Sequence, residues 1–358
     1  MPHLKISSHS VQRTVHANEL HEAHQAALDS PDFESLRPMF DWLSNRMTER
    51  RFRSETGTVK KSRKFKLAVS RAMAQAVVNS PSAERAYQRV NGPARVHFTR
   101  IILPVAGLPP SLDGLRVAQI TDVHHGPWLP AEYIAAIMAQ VNATKPDLVL
   151  LTGDYVINSP RYIDPVARAF ATLRPSIGVF AVLGNHDWWE GAGRMRAALE
   201  SAGIPMVDNR HVVVSPERSL ITSRRADSPL GLAVAGVGDY WEDRVSADDA
   251  LGGLPDAMPR LLLSHNPDVA EDAAFLSAGH RVDLMISGHT HGGQVRIPRL
   301  GTPVIPSLYG GKYASGWVDG PAFPVYINNG IGTSGVPLRY KAPAEVTIFD
   351  LTPAGLIL

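Results

Sequence analysis

VDLMISGHTHGGQ, residues 282–294, decides how this chain is read. A short, largely apolar run, 282–286, stops at Gly288. Two histidines one residue apart follow, His289 and His291, and then Gly292 and Gly293. A run of this length bounded by glycines has the signature of a buried strand. The imidazoles at its end are either incidental members of a polar turn or part of a site. The rest of the chain decides between the two.

Upstream, short apolar runs alternate with helical stretches. The runs are LRVAQIT (115–121), DLVLLTG (147–153), GVFAVLG (178–184), GLAVAGV (231–237) and RLLLS (260–264). Segments 131–143, 164–173, 192–202 and 268–277 have helical spacing, and further strands are expected at 96–103, 324–329 and 345–350. This alternation is an α/β pattern. The Gly- and Pro-rich stretch 297–321 is expected as a long loop over the site. No internal repeat or low-complexity segment interrupts the pattern.

Five of the runs end in the same kinds of residue. After 115–121 come Asp122 and His124, and after 147–153 comes Asp154. Asn185 and His186 follow 178–184, and His265 follows 260–264. His289 and His291 close the last run. Sites in open α/β sheets form beyond the carboxyl ends of the strands. Residues two apart in extended backbone project to one side, so Asp122 with His124, and His289 with His291, are each expected to aim at one ion. Asn185 and His186 are adjacent, so one can bind metal while the other faces substrate.

The chain has no cysteine, which leaves oxygen and imidazole donors. Such a set suits Mn, Fe or Zn, with Mn the expected occupant. Seven candidates, Asp122, His124, Asp154, Asn185, His265, His289 and His291, exceed the needs of one ion and suffice for two if a carboxylate bridges. Two ions roughly 3.5–4 Å apart would activate a water and clamp an in-line displacement at phosphorus.

The motifs DVH, GDY, GNHD, SHNPD and GHTHGG, in this order between about 116 and 294, resemble the calcineurin-like metallophosphoesterase superfamily. The order and spacing are similar to the bacterial branch whose last motif reads GHTHGGQ. The resemblance implies two stacked mixed β-sheets flanked by helices. It places Asp122, His124, Asp154 and His291 on one ion, and Asp154, Asn185, His265 and His289 on the other. It makes His186 the residue that contacts phosphate and protonates the leaving group, while a hydroxide bridging the ions attacks phosphorus. Asn185 would help to stabilise the developing charge. Two related branches carry an Asp or a metal-binding Tyr where this chain has Ile157, so the partner that orients His186 is left open. Asp187 is adjacent but could point away.

Arg339, in GIGTSGVPLRY, is a candidate substrate-binding residue if the Gly-rich segment 330–335 returns to the site. His125 should point away from His124. Trp188 and Trp189 could stack on a nucleobase, line a lipid channel or pack in the core. SHNPD also reads as a helix cap, with Asn266 or Ser264 capping and Pro267 in the first turn.

Residues 1–95 have a different texture and are expected as a basic helical extension ahead of a catalytic domain at 96–358. Of the net charge of +2, the first 100 residues carry about +8 and the remainder about −6. Helices are expected over 32–53 and 61–79, the second with Phe65, Val69, Met73 and Val77 at spacing four. Packing on its own domain or on a second subunit is the plain explanation of this arm. Residues 46–79 also suit peripheral contact with anionic lipid, and a nucleic-acid arm is a further option. No secretory signal peptide or membrane-spanning run is visible in the sequence, so a cytoplasmic location, with membrane association through the basic segment, is the expectation.

Three functions compete: a phosphodiesterase or phosphomonoesterase acting on small molecules or lipid head groups, a nuclease of the same superfamily, and a non-catalytic metal-binding scaffold. The acidic balance of residues after 100 argues against tight binding of nucleic acid. A scaffold should have lost ligands, and here all seven are present. Nothing in the sequence sets the oligomeric state.

Overall fold

The computed structural model describes residues 95–221, 231–296, 302, 304–335 and 337–355. The helices expected over 32–53 and 61–79, and the basic segment 46–79, lie outside these residues.

Two sheets form the centre of the fold. The first contains β1 (His97–Val105), β2 (Leu115–Ile120), β3 (Leu148–Thr152), β4 (Gly178–Val182) and β12 (Glu345–Pro353), in the order β1-β12-β2-β3-β4. The second contains β5 (Arg210–Val214), β6 (Leu220–Ile221), β7 (Leu232–Gly236), β8 (Arg260–Leu263), β9 (Leu284–Ser287), β10 (Gly316–Asp319) and β11 (Pro324–Ile327), in the order β10-β11-β9-β8-β7-β5-β6. Both sheets are mixed. β2, β3 and β4 run parallel, as do β7, β8, β9 and β11.

The central strands read as unbroken apolar runs because both of their faces are covered. Val117, Leu150 and Val182 face Val234, Leu261, Leu263 and Ile286 across the space between the sheets. The alternate residues Ala118, Val149, Leu151 and Ala181 pack outward with α1 (Ala131–Ala143), α2 (Ile163–Phe170) and α3 (Asn185–Ser201), through Ile134, Met138, Val166, Phe170, Met195 and Leu199. On the far side Ala233, Leu262, Met285 and Ile327 pack with Ala250 and Leu251 of α4 (Ala247–Leu251) and Phe275 of α5 (Ala273–Ser277). The layers are therefore helix, sheet, sheet and helix, as the resemblance implied.

A polar bridge at Gln119 helps to join the sheets beneath the strand ends. Gln119 Nε2 donates to Thr152 Oγ1 at 3.1 Å and to the Ser287 carbonyl at 2.9 Å. It ties β2 and β3 to β9 where the candidate ligands emerge. Two directional bonds from one buried amide nitrogen fix one docking of the sheets, which apolar contact alone does not specify.

Several expectations are corrected. The helix expected at 192–202 begins at Asn185, because its first turn is the GNHD motif itself; Gly191, at φ 129°, kinks it. The segment 268–277 is split into a 3-10 turn, Pro267–Glu271, and α5. Within 297–321, the described part contains a 3-10 turn at Gly310–Tyr313 and β10. The edge strands β6 and β10, and β5 beside β6, are too short or too polar to stand out in the sequence.

Candidate metal centre

Parallel pairing brings the C-terminal ends of β2, β3, β4, β8 and β9 to one edge. There the side chains form two groups, Asp122–His124–His291 and Asp154–His265–His289, linked by a third, His124–Asp154–His186, with the ligand atoms of each within 4.8 Å of one another. All but the half-buried His186 are buried, as is Asn185.

The backbone at these positions is unusual. Asp122, His124, Asp154, His289 and His291 have φ of 48°, 47°, 56°, 70° and 55°. Non-glycine residues rarely adopt this left-handed conformation, and it clusters where a site over-determines the chain. It also overturns the extended-backbone argument for the paired histidines. His289 and His291 do not aim at one point: His291 joins Asp122 and His124, and His289 joins Asp154 and His265.

Donor atoms converge within each group. His124 Nε2 and His291 Nε2 are 2.9 Å apart, and Asp122 Oδ1 lies 3.3 Å from the latter. His265 Nε2 and His289 Nδ1 are 3.1 Å apart. Separations of about 3 Å are those of neighbouring ligands around an ion bound at roughly 2.1 Å. Asp154 Oδ2 sits between the groups, 3.5 Å from His124 Nε2 and 3.3 Å from His265 Nε2. Asn185 Oδ1 is buried without a hydrogen-bond partner. An orphaned carbonyl oxygen and crowded imidazole lone pairs are what a cation would satisfy, so the residues fit a metal.

Hydrogen bonds aim each ligand. Asp122 Oδ2 accepts from Thr121 Oγ1 at 2.8 Å and from the His289 amide at 2.9 Å, an amide shared with Oδ1 at 3.1 Å, and Oδ1 also faces the His291 imidazole. Asp154 Oδ1 accepts from the His186 amide at 2.8 Å, which leaves Oδ2 in the shared position. His265 Nδ1 donates to the Thr152 carbonyl at 2.8 Å, so its Nε2 carries the lone pair in the neutral ring. Such outer partners fix tautomer and direction.

The centre holds its protons unevenly. Burial drives the imidazoles of His124 and His291 well below the usual histidine value and that of His289 down to about 3. Burial would lower His265 too, but Asp154, Asp122 and Asp239 outweigh it and carry the ring up to about 10. Burial pushes Asp122 up to about 7. A cation held there would compete with a proton for His265.

Asp187 points away from the donors, and its carboxylate braces them. It accepts from the amides of Asp154 at 2.8 Å, Tyr155 at 2.9 Å and Gly184 at 3.0 Å, clamping the turn after β3 to the start of α3. The partner of His186 is the main-chain carbonyl of Ile157, 2.8 Å from Nδ1. The carbonyl needs no particular side chain, which is why no sequence signal marked it. It leaves Nε2 free, with the ring centroid 4.7 Å from that of His124.

Glycine is required where the backbone crowds these carboxylates. A Cβ on Gly184 would lie 2.3 Å from Asp154 Oδ1, and one on Gly288 would lie 2.2 Å from Asp122 Oδ2. Gly184→Ala is expected to displace Asp154 and weaken metal uptake by about tenfold or more, the scale on which disturbed metal-site geometry acts. Metal titration of the folded variant checks this; unchanged uptake would refute it.

Arg339 is brought to the site but faces the main chain. It is buried, and its guanidinium donates to the carbonyls of Asn329 at 2.8 Å, Gly332 at 2.9 Å, Ala342 at 3.1 Å and His291 at 3.3 Å. This fork ties the returning segment after β11 to the His291 loop, and Nη2 also lies 3.3 Å from Nδ1 of the His291 ring. His125 is buried with Nδ1 2.7 Å from the Leu129 carbonyl, away from the donors as expected. The two tryptophans divide: Trp188 packs against the helical layer, and Trp189 is exposed beside His186, ring centroids 4.5 Å apart. SHNPD serves both purposes, since Asn266 caps the 3-10 turn at 2.9 Å while His265 joins the donors.

Carboxylates, an amide and imidazoles thus gather at the strand ends of a two-sheet α/β fold. A family profile described as calcineurin-like phosphoesterase matches residues 115–293, and the chain belongs to that family. Relatives include the uncharacterized metallophosphoesterase YkuE of Bacillus subtilis, 28% identical over 271 residues that span 74% of this chain and 88% of that protein. Phosphodiesterase YaeI of Escherichia coli is 30% identical over 241 residues, 66% of this chain and 82% of that one. A transmembrane protein with metallophosphoesterase domain from Bos taurus is 28% identical over 306 residues, 83% of this chain but 65% of the bovine one. Among the described residues no helix is long and apolar enough to cross a membrane.

Proposed function

We propose that this chain is a dinuclear phosphodiesterase acting on an ester that carries an apolar group, such as a phospholipid. Asp122, His124 and His291 would hold one ion and Asn185, His265 and His289 the other, with Asp154 shared. The single observation that carries the two-ion reading is the place of Asp154 Oδ2 between the two groups of donors. Two divalent ions, manganese by preference, would supply an activated water and neutralise the phosphoryl oxygens.

The chain's own residues do the rest. His186 stands beside His124, its Nδ1 held by Ile157, with Nε2 available to give a proton to the departing alkoxide. Asn185 begins α3, so the helix N-terminus faces the same space and favours an anion there.

The rim supports the substrate class. Of seven exposed large apolar side chains among the described residues, Trp189 on α3 lies against His186, Trp241 on the turn after β7 lies against His289, and Leu308 and Tyr309 belong to the loop held by Asp268. Trp241 packs edge-on against His289, centroids 4.4 Å apart. Leu308, 75% exposed, has its amide held by Asp268, three residues after His265. Scattered exposed apolar residues are ordinary, whereas a group around one opening marks a binding surface. The name of the Escherichia coli relative supports the diester preference.

The manganese-loaded protein should hydrolyse bis-p-nitrophenyl phosphate faster than p-nitrophenyl phosphate. Leu308→Asp should lower turnover of a short-chain phospholipid about tenfold, the scale of one apolar side chain, and leave bis-p-nitrophenyl phosphate unchanged. Inactivity toward both aryl esters with two ions bound would refute the catalytic reading. Equal loss on both diesters would refute the role of the rim.

A further inference from the structure

The strand ends hold one more carboxylate. Asp239 follows β7, the neighbour of β8 in the second sheet. Gly236, Leu263 and Ile286 lie side by side in the register of β7, β8 and β9. Asp239, His265 and His289 therefore leave the same edge two or three residues later.

Asp239 is 1% exposed, and one of its oxygens has a structural role. Oδ1 accepts from the amides of Trp241 at 3.0 Å and Glu242 at 2.9 Å, closing the turn that sets Trp241 against His289. The other oxygen, Oδ2, is buried with no hydrogen-bond partner. A buried carboxylate oxygen without a donor is costly and needs a reason.

Charge supplies one. The donors around the first position include two carboxylates, Asp122 and Asp154. The second has only the shared Asp154 beside neutral Asn185, His265 and His289. A dication there would lie in a buried site with less than its share of negative charge. Asp239 does not belong to the close donor group, so it would act from just outside it.

We propose that Asp239 is an outer carboxylate of the second metal position, supplying through Oδ2 the negative charge that its direct ligands lack and accepting a hydrogen bond from a water on that ion. The proposal rests on the two-ion reading above. Asp239 is then a positioning residue whose main effect is on metal retention.

Asp239→Asn isolates this role. Its carbonyl oxygen still accepts the Trp241 and Glu242 amides, while the charge and the free acceptor are lost. Metal-free full-length protein is titrated with Mn(II) and followed by calorimetry and electron paramagnetic resonance, with thermal melts of the metal-free forms alongside. The wild type should bind two ions. The variant should keep one at wild-type affinity and bind the second about 10- to 100-fold more weakly. Its metal-free melting temperature should not fall, because an unsatisfied buried charge has been removed.

Two ions bound by Asp239→Asn at unchanged affinity would overturn the assignment while leaving the two-ion reading intact. A wild type that binds only one ion overturns that reading, and the assignment with it. Asp239→Ser retains a capping oxygen and is read in the same way. Failure of both variants to fold would make Asp239 a turn cap only and overturn the proposal.

Discussion

Asp154→Asn is expected to empty both metal positions and to bring diester hydrolysis to background. The substitution keeps the shape of the side chain, and its oxygen can still accept the His186 amide, as Oδ1 of the aspartate does. That leaves an NH2 group where the shared Oδ2 stood, 3.5 Å from His124 Nε2 and 3.3 Å from His265 Nε2. A donor in that place repels cations on either side. Loss of the ions removes several kcal/mol of barrier lowering, which is about 10³-fold or more in rate. Asp122→Asn should act on the first position alone. Metal content after dialysis and turnover of bis-p-nitrophenyl phosphate check both variants. Two ions retained by Asp154→Asn would sink the bridging role.

His186→Ala is expected to lower turnover by about 10²- to 10⁴-fold while the bound metal stays unchanged. Its ring is held through Nδ1 by the Ile157 carbonyl, and Nε2 is the nitrogen left to act. A proton donor matters most when the leaving alkoxide is strongly basic. The loss should therefore be large for an alkyl phosphodiester and small for a p-nitrophenyl ester, whose leaving group is stable without a proton. Equal losses on the two esters would argue against proton donation. Departure of a metal ion would make His186 a ligand, a role its closeness to His124 and Asp154 makes worth testing.

The donor set was legible because chemistry and strand order are both written locally. Apolar runs with both faces covered stand out without an alignment, and Asp122, Asp154, Asn185, His265 and His289 each follow such a run. Asp239 had the same signal, since it stands two residues past GLAVAGV. It is easily passed over because Gly238 intervenes and none of the five motifs DVH, GDY, GNHD, SHNPD and GHTHGG contains it. Arg339 stands beside His291 once the segment after β11 has returned to the site. A sequence cannot say whether a guanidinium will face a phosphate or a cluster of carbonyls, since that depends on how the segment after β11 returns.

The sequence by itself determined that buried parallel strands end in oxygen and imidazole donors, because burial pattern and residue type are properties of short segments. Tertiary structure alone decided how those donors are shared out. The split of His289 from His291 follows from left-handed backbone that only the assembled turns can hold in place. The aim of His186 follows from a main-chain carbonyl 29 residues away, and the shared position of Asp154 Oδ2 follows from Gly184 letting α3 approach it. These depend on distances between segments far apart in the chain, and those distances exist only once the two sheets have packed together.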